Sequence, residues 1–235
     1  MEKIIIFLHF HKCGGSSINK MFGKYKKFKV HKNCNPYRNN KNIIMFWNFK
    51  KNQFNKFKNE LINNKVEYIA LEWNYFKYYN TLDFNNIELI TCFRDPYERY
   101  ISNMRFDNNK DSNKYNNKNI IWNQGYVMQR FFVNYNKFNY YIKMLNGFGN
   151  NPDIEVNNKH LKIAKNRLDK FSIILILEDK ETFKQLDKFE TTKIVKNNIN
   201  KHNYKIEISR EEFIEKNILD YELYEYAKKI SYNNI

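Results

Sequence analysis

The sequence is poor in the residues that staple or punctuate a chain: 235 residues include only three cysteines, three prolines and six glycines. Cys13, Cys34 and Cys92 form no even framework and no C-x-x-C spacing, which excludes a disulfide scaffold and a cysteine-based metal centre. No metal is therefore expected, and a reducing compartment suits the thiols. With so little proline and glycine there is no linker composition, and no internal repeat is evident, so residues 1–235 read as a single domain. Long apolar runs are missing too. The apolar start, residues 4–10, is too short for a membrane span and leads into His11-Lys12-Cys13-Gly14 without a small-residue cleavage site. The expectation is a chain with no membrane span, cytoplasmic as it stands. Acidic residues are the remaining shortage, 25 against 41 Lys and Arg, for a formal charge of +16. Such a charge suits polyanionic partners, namely phosphorylated ligands, anionic glycans or nucleic acid, although an Asn- and Lys-biased composition also places many lysines on solvated faces.

Aromatic residues are abundant at 17 %. Their large buried areas can build a core where Val, Ala and Leu are not plentiful, and this argues against disorder. Residues 4–8, 67–71, 87–93 and 172–177 are short apolar runs followed by polar or turn-forming residues, the pattern of strands covered on both faces. Helical periodicity lies between and after them, at 16–27, 97–106, 122–145, 157–168, 180–189 and 210–229. Strands alternating with helices predict an α/β fold with a central parallel sheet flanked by helices. The stretches 29–42 and 107–119, crowded with Asn and Lys, read as loops or lids.

Two segments carry chemistry. In Phe7-Leu8-His9-Phe10-His11-Lys12-Cys13-Gly14-Gly15-Ser16-Ser17-Ile18 a strand ends in a glycine turn that opens a helix. Backbone amides at Gly14 and Gly15, the hydroxyls of Ser16 and Ser17 and the positive helix end converge on one anion, and Lys12 adds a mobile charge. The mechanics are those of a P-loop, but the lysine precedes the glycines instead of following them, which argues against an NTPase. The second segment is Arg94-Asp95-Pro96-Tyr97-Glu98-Arg99-Tyr100-Ile101-Ser102, directly after the strand at 87–93. Asp95 suits a helix cap and Pro96 the first turn, leaving Arg94 at the strand mouth, where a guanidinium grips phosphate bidentately. Ser102 lies two turns along, and Arg99 suits a salt bridge that braces the loop.

Together these segments resemble the sulfotransferases that use 3′-phosphoadenosine 5′-phosphosulfate (PAPS), especially the carbohydrate-modifying, heparan-sulfate-type branch. That family has a strand running into F-L-H-I-P-K-T-G-G-T-S and a later R-D-P-x-x-R-x-x-S. His11 and Cys13 stand where the family has Pro and Thr, so one hydroxyl contact to the 5′-phosphosulfate is weakened. The resemblance implies a P-loop-like three-layer domain and PAPS as cofactor, with 3′-phosphoadenosine 5′-phosphate (PAP) as product. It further implies a 5′-phosphosulfate site formed by Lys12, Cys13, Gly14, Gly15, Ser16 and Ser17, and a 3′-phosphate site at Arg94 and Ser102. The acceptor is a glycan or other hydroxyl compound, and the net charge favours an anionic one. A lumenal, Golgi-type location would require a longer precursor.

Lys12 is the candidate for stabilising the leaving oxygen. Glu72, just after the strand at 67–71, is the first candidate for the base, with His11 and His9 as competitors. Asn198 and Lys201 fall where the family closes a loop over the nucleotide. Asn123, Arg130 and Leu145-Asn146-Gly147 resemble its N-x-x-x-R-x-L-x-G region with stretched spacing. Residues 161–178 resemble its helix, strand and Glu-Asp segment and are read as support for the fold, while aromatics of the 122–141 helix are read as core or lid surface. Two other functions compete. A P-loop kinase or NTPase needs a lysine after the glycines and a metal carboxylate, and neither is convincing here. A non-catalytic basic nucleic-acid binder accounts for the charge but not for the two ordered segments, and no dedicated nucleic-acid motif is present.

Overall fold

The computed structural model describes residues 3–25, 38–39, 42–43, 59, 61–72, 87–108, 138–148, 154–192 and 208–233. The strands are β1 (Ile4–His9), the two-residue β2 (Arg38–Asn39) and β3 (Asn42–Ile43), β4 (Tyr68–Glu72), β5 (Ile87–Phe93) and β6 (Ile173–Ile176). Helices are α1 (Gly15–Met21), α2 (Pro96–Asn108), α3 (Tyr140–Asn146), α4 (Asn158–Leu168), α5 (Arg210–Lys216) and α6 (Ile218–Asn233), with a 3-10 helix at Lys180–Leu186. β2 and β3 form a small antiparallel pair. The four apolar runs predicted as strands form one all-parallel sheet in the order β4-β1-β5-β6.

Alternation along each strand sends side chains to two separate cores, because successive residues face opposite sides of the sheet. Ile6, Leu8, Leu89, Phe93 and Ile174 pack with Tyr141, Leu161, Ala164 and Leu223 from α3, α4 and α6. Ile5, Phe7, Ile90, Cys92 and Leu175 pack on the other side with Ile18 and Met21 of α1 and with Leu186. The sheet is thus covered by helices on both faces, which is why its strands read as unbroken apolar runs. Among the described residues, no helix is long and apolar enough to cross a membrane.

The order of the sheet locates a crevice. From β1 the chain goes to β4 on one side and then to β5 on the other, so its winding reverses between β1 and β5. The carboxyl ends of those two strands diverge into loops that run opposite ways, and ligands of open α/β sheets bind in such a gap.

Helix ends follow local chemistry where a capping residue is available. Asp95 Oδ1 accepts from the amides of Tyr97 and Glu98, both at 3.0 Å, and Pro96 is the first residue of α2, as the sequence predicts. Asn157 and His160 form a reciprocal capping box at α4. Other boundaries differ from the expected ones. The helix expected over 122–145 does not run through residue 139: Asn139 is left-handed at φ 54°, and α3 starts after it. The helix expected over 210–229 is broken at Asn217, whose buried side chain donates to the Phe213 carbonyl at 2.8 Å and accepts the Asn139 amide at 2.7 Å. The segment expected as a helix over 180–189 is the tighter 3-10 form.

α3 has no cap of its own. Its second and third amides, from Tyr141 and Ile142, donate to the two oxygens of Asp220 on α6, each at 3.0 Å. Burial pushes the Asp220 carboxyl up to about 6, against the pull of those amides and of Arg99 and Lys143. The folded chain thus holds this proton more tightly than the unfolded chain, whose carboxyl titrates at the ordinary 3.8. The resulting stabilisation is fully present below the unfolded value and is lost as pH rises through the folded one.

The measurement is urea unfolding of wild type and Asp220→Asn, in which the other titrations cancel. The stability of wild type relative to the variant is expected to fall by about 1 kcal/mol between pH 5 and pH 7.5. A difference independent of pH would show that Asp220 does not titrate in this range.

Candidate functional site

The turn after β1 is held in an unusual conformation. Lys12 and Gly14 both have positive φ, 67° and 77°. Glycine adopts this region freely, whereas for lysine it costs about 1–2 kcal/mol. The strain persists because Lys12 sits between His11, 5 % exposed, and Cys13, fully buried, with the Cys13 amide bonded to the Phe10 carbonyl at 3.1 Å. At Gly15 the requirement is space: a Cβ there would lie 1.9 Å from His9 Nε2. The glycine lets the buried imidazole lie against the backbone, where it also stacks on Phe7. The amides of Ser17 and Ile18 bond to the Gly14 carbonyl, while those of Gly15 and Ser16, in the first turn of α1, have no helical acceptor. Ser16 is exposed, and Ser17 and Lys12 are half-buried.

Burial, with the Lys12 charge adding to it, lowers both histidines. His9 is pushed down to about 3 and His11 well below its ordinary 6.5. Both are therefore neutral near pH 7 and weak as bases. The Cys13 thiol faces the core instead of the ligand side: it lies 3.2 Å from the Tyr141 hydroxyl, and burial raises it to about 11.

Across the crevice, Arg94 leaves the end of β5 with its side chain 24 % exposed. Its Nη1 is 3.5 Å from the Lys12 carbonyl, its Nε 3.6 Å from Glu178 Oε1 and its Nη2 3.7 Å from Glu98 Oε2. Glu178, two residues beyond β6, also accepts from the Asp95 amide, at 3.3 and 3.4 Å to its two oxygens, and from Tyr224 at 3.4 Å. Burial raises its carboxyl, with Arg94 pulling the other way. Arg210 pairs with Asp95 at 2.9 Å and Glu98 at 3.5 Å. Ser102 is half-buried on α2.

Two adjacent tyrosines hold these loops together. The Tyr141 hydroxyl donates to the Arg94 carbonyl at 2.7 Å and accepts the Arg94 amide at 3.1 Å, while lying against Cys13 of the first turn. Tyr140 accepts the His11 amide at 2.9 Å. The buried Arg99 lies over the Tyr140 ring, 3.7 Å from its centroid, and braces this assembly by a cation–π contact.

The structure therefore brings together Lys12, Gly14, Gly15, Ser16, Ser17 and Arg94 at the β1/β5 crevice. Glu72 ends β4 in register with His9, at the same edge of the sheet, and its side chain lies outside the described residues. Asn123, Arg130, Asn198 and Lys201 also lie outside them. Asn146 stitches α3 to α4 through the carbonyls of Ile142 and His160, and Gly147 is a left-handed C-cap, so the 145–147 turn is structural. Sequence reasoning missed Tyr140 and Tyr141 as braces and Asp220 beneath them, and it read Glu178 only as part of the fold. The available signal was that buried tyrosines need partners for their hydroxyls.

Fold and crevice define an α/β protein with a parallel sheet flanked by helices and two loops converging at its topological switch point. Known protein-family profiles give no match to the chain, and neither do curated proteins.

Tyr141→Phe removes the hydroxyl that partners the part-buried Arg94 amide and carbonyl and is expected to lower stability by about 1–3 kcal/mol in chemical denaturation. A loss below about 0.5 kcal/mol would show that water or another group replaces the hydroxyl.

Proposed function

We propose that this chain is a PAPS-dependent sulfotransferase with a P-loop-like turn, acting on a hydroxyl of a carbohydrate. The observation that carries the reading is the convergence of the two motif loops: the Arg94 guanidinium lies 3.5 Å from the Lys12 carbonyl, at the switch point of the sheet. A ligand with phosphates at both ends matches two cationic loops that leave adjacent strands. The turn fits such a ligand, because Lys12 is held left-handed and the Gly15 and Ser16 amides are outside the helical ladder.

PAPS, when bound, supplies an activated sulfuryl group. Gly14, Gly15, Ser16 and Ser17 hold its 5′ end, and Arg94 with Ser102 holds the 3′-phosphate. Lys12 would hold its ammonium near the 5′ end of the cofactor and stabilise the negative charge left on the phosphate as the sulfuryl group passes to the acceptor oxygen. Glu72 takes the acceptor's hydroxyl proton. His9 and His11 are poorer candidates for that step, since burial and Lys12 lower them far below neutrality. Cys13 contributes to the turn through its buried packing and not through a ligand contact. The charge of +16 favours an anionic glycan as acceptor.

PAP should stabilise the fold by about 2.7 kcal/mol at a hundred times its dissociation constant, and far more than AMP at matched concentration. Equal thermal shifts from the two ligands would remove the 3′-phosphate assignment.

Lys12→Ala is expected to lower turnover by about 10²–10³-fold while PAP affinity falls only modestly, read by transfer of labelled sulfate to a glycan panel and by calorimetry. Lys12→Arg should not restore the rate, because a planar fork does not replace a compact ammonium. Wild-type turnover in Lys12→Ala would show that Lys12 takes no part in the chemistry.

A further inference from the structure

The guanidinium of Arg94 faces two carboxylates of its own chain, and the two are not equivalent. Glu98 is one helical turn along α2 and divides its charge between Arg94 and Arg210. Glu178 follows β6, the neighbour of β5 on the side away from β1, and accepts from the Asp95 amide and the Tyr224 hydroxyl. It meets Arg94 at Nε, while Nη1 lies 3.5 Å from the Lys12 carbonyl and Nη2 3.7 Å from Glu98, so an anion must compete with partners of the same chain for this guanidinium.

Resting on the proposed function, we infer that Glu178 is a specificity-determining residue of the same site: a fixed counter-charge that limits how tightly Arg94 retains a phosphate. The local balance of charge explains how. Arg94 and Arg210 are already paired with Asp95, Glu98 and Glu178, so an arriving phosphate competes with carboxylates in place despite the strongly basic chain. The two carboxylates are about equally exposed, 42 % and 40 %, and differ in what holds them: Glu98 is held by the two arginines, whereas Glu178 also accepts from the Asp95 amide and the Tyr224 hydroxyl. Its charge opposes the phosphate throughout, weakening ground-state binding of cofactor and product alike. In a transferase that must release a doubly phosphorylated product each cycle, such a counterweight favours turnover over retention.

The test is calorimetric binding of PAP and AMP to wild type, Glu178→Gln, Glu178→Asp and Glu98→Gln at low salt and at about 0.15 M ionic strength. Glu178→Gln keeps an acceptor for the Asp95 amide and is expected to bind PAP about 3–10-fold more tightly, with a smaller gain for AMP, so that the preference for PAP increases. The gain should shrink at the higher salt. In sulfate transfer, KM for PAPS and kcat should both fall, the pattern of slowed product release. Glu178→Asp, which keeps the charge, should stay within about twofold of wild type, and Glu98→Gln should gain no more than that, because Glu98 divides its charge between Arg94 and Arg210. If wild type prefers PAP but folded Glu178→Gln binds it equally or more weakly, the inference fails and the proposed function stands. It fails in the same way if Glu178→Asp gains as much as Glu178→Gln. If wild type binds PAP and AMP equally, the phosphate site at Arg94 is lost, and the inference with it.

Discussion

The hydroxyl groups of Tyr140 and Tyr141 are the point on which the crevice depends. A parallel sheet places its loops at one edge but does not dictate how the loops sit relative to each other. Here one short helix reaches both. Tyr140 bonds the backbone of the turn after β1, and Tyr141 bonds that of the turn after β5. The helix itself is anchored by Asp220, which caps it from α6, and by Asn217, which takes the amide just before it. Since each of these bonds lies in a buried or half-buried setting, losing any one leaves a polar group without water to replace it.

Electrostatics divide the molecule in a way that net charge conceals. The chain carries a large positive excess, yet at the crevice much of it is compensated locally. His9 and His11 are held neutral by burial, and the arginines at the mouth are compensated by carboxylates from two parts of the chain, the start of α2 and the segment after β6. Close to the sheet edge, affinity for an anion therefore depends on a few local pairs. The remaining excess acts at longer range, where it draws in polyanions and is sensitive to salt.

Much of the architecture was legible in the residues. Each strand of the main sheet announced itself as a β-branched and aromatic run, because burial on both faces demands apolar side chains at every position. Asp95-Pro96 predicted the start of α2 for local reasons, since cap and first turn are decided within four residues. Boundaries set by distant partners were not legible. The break at Asn217 and the start of α3 after Asn139 arise because each residue satisfies the other across 78 positions of chain.

By itself the sequence determined the α/β class, the strands, and the two short segments in which glycine, hydroxyl and basic residues stand at strand ends. All of these rest on interactions within a few residues or on simple burial. Tertiary structure alone decided that the two segments face each other, that the thiol of Cys13 turns into the core, that both histidines are neutral, and that Arg94 carries Glu178 as a partner. Those outcomes depend on which strands become neighbours and on what desolvates each group. Residues far apart in the chain decide both.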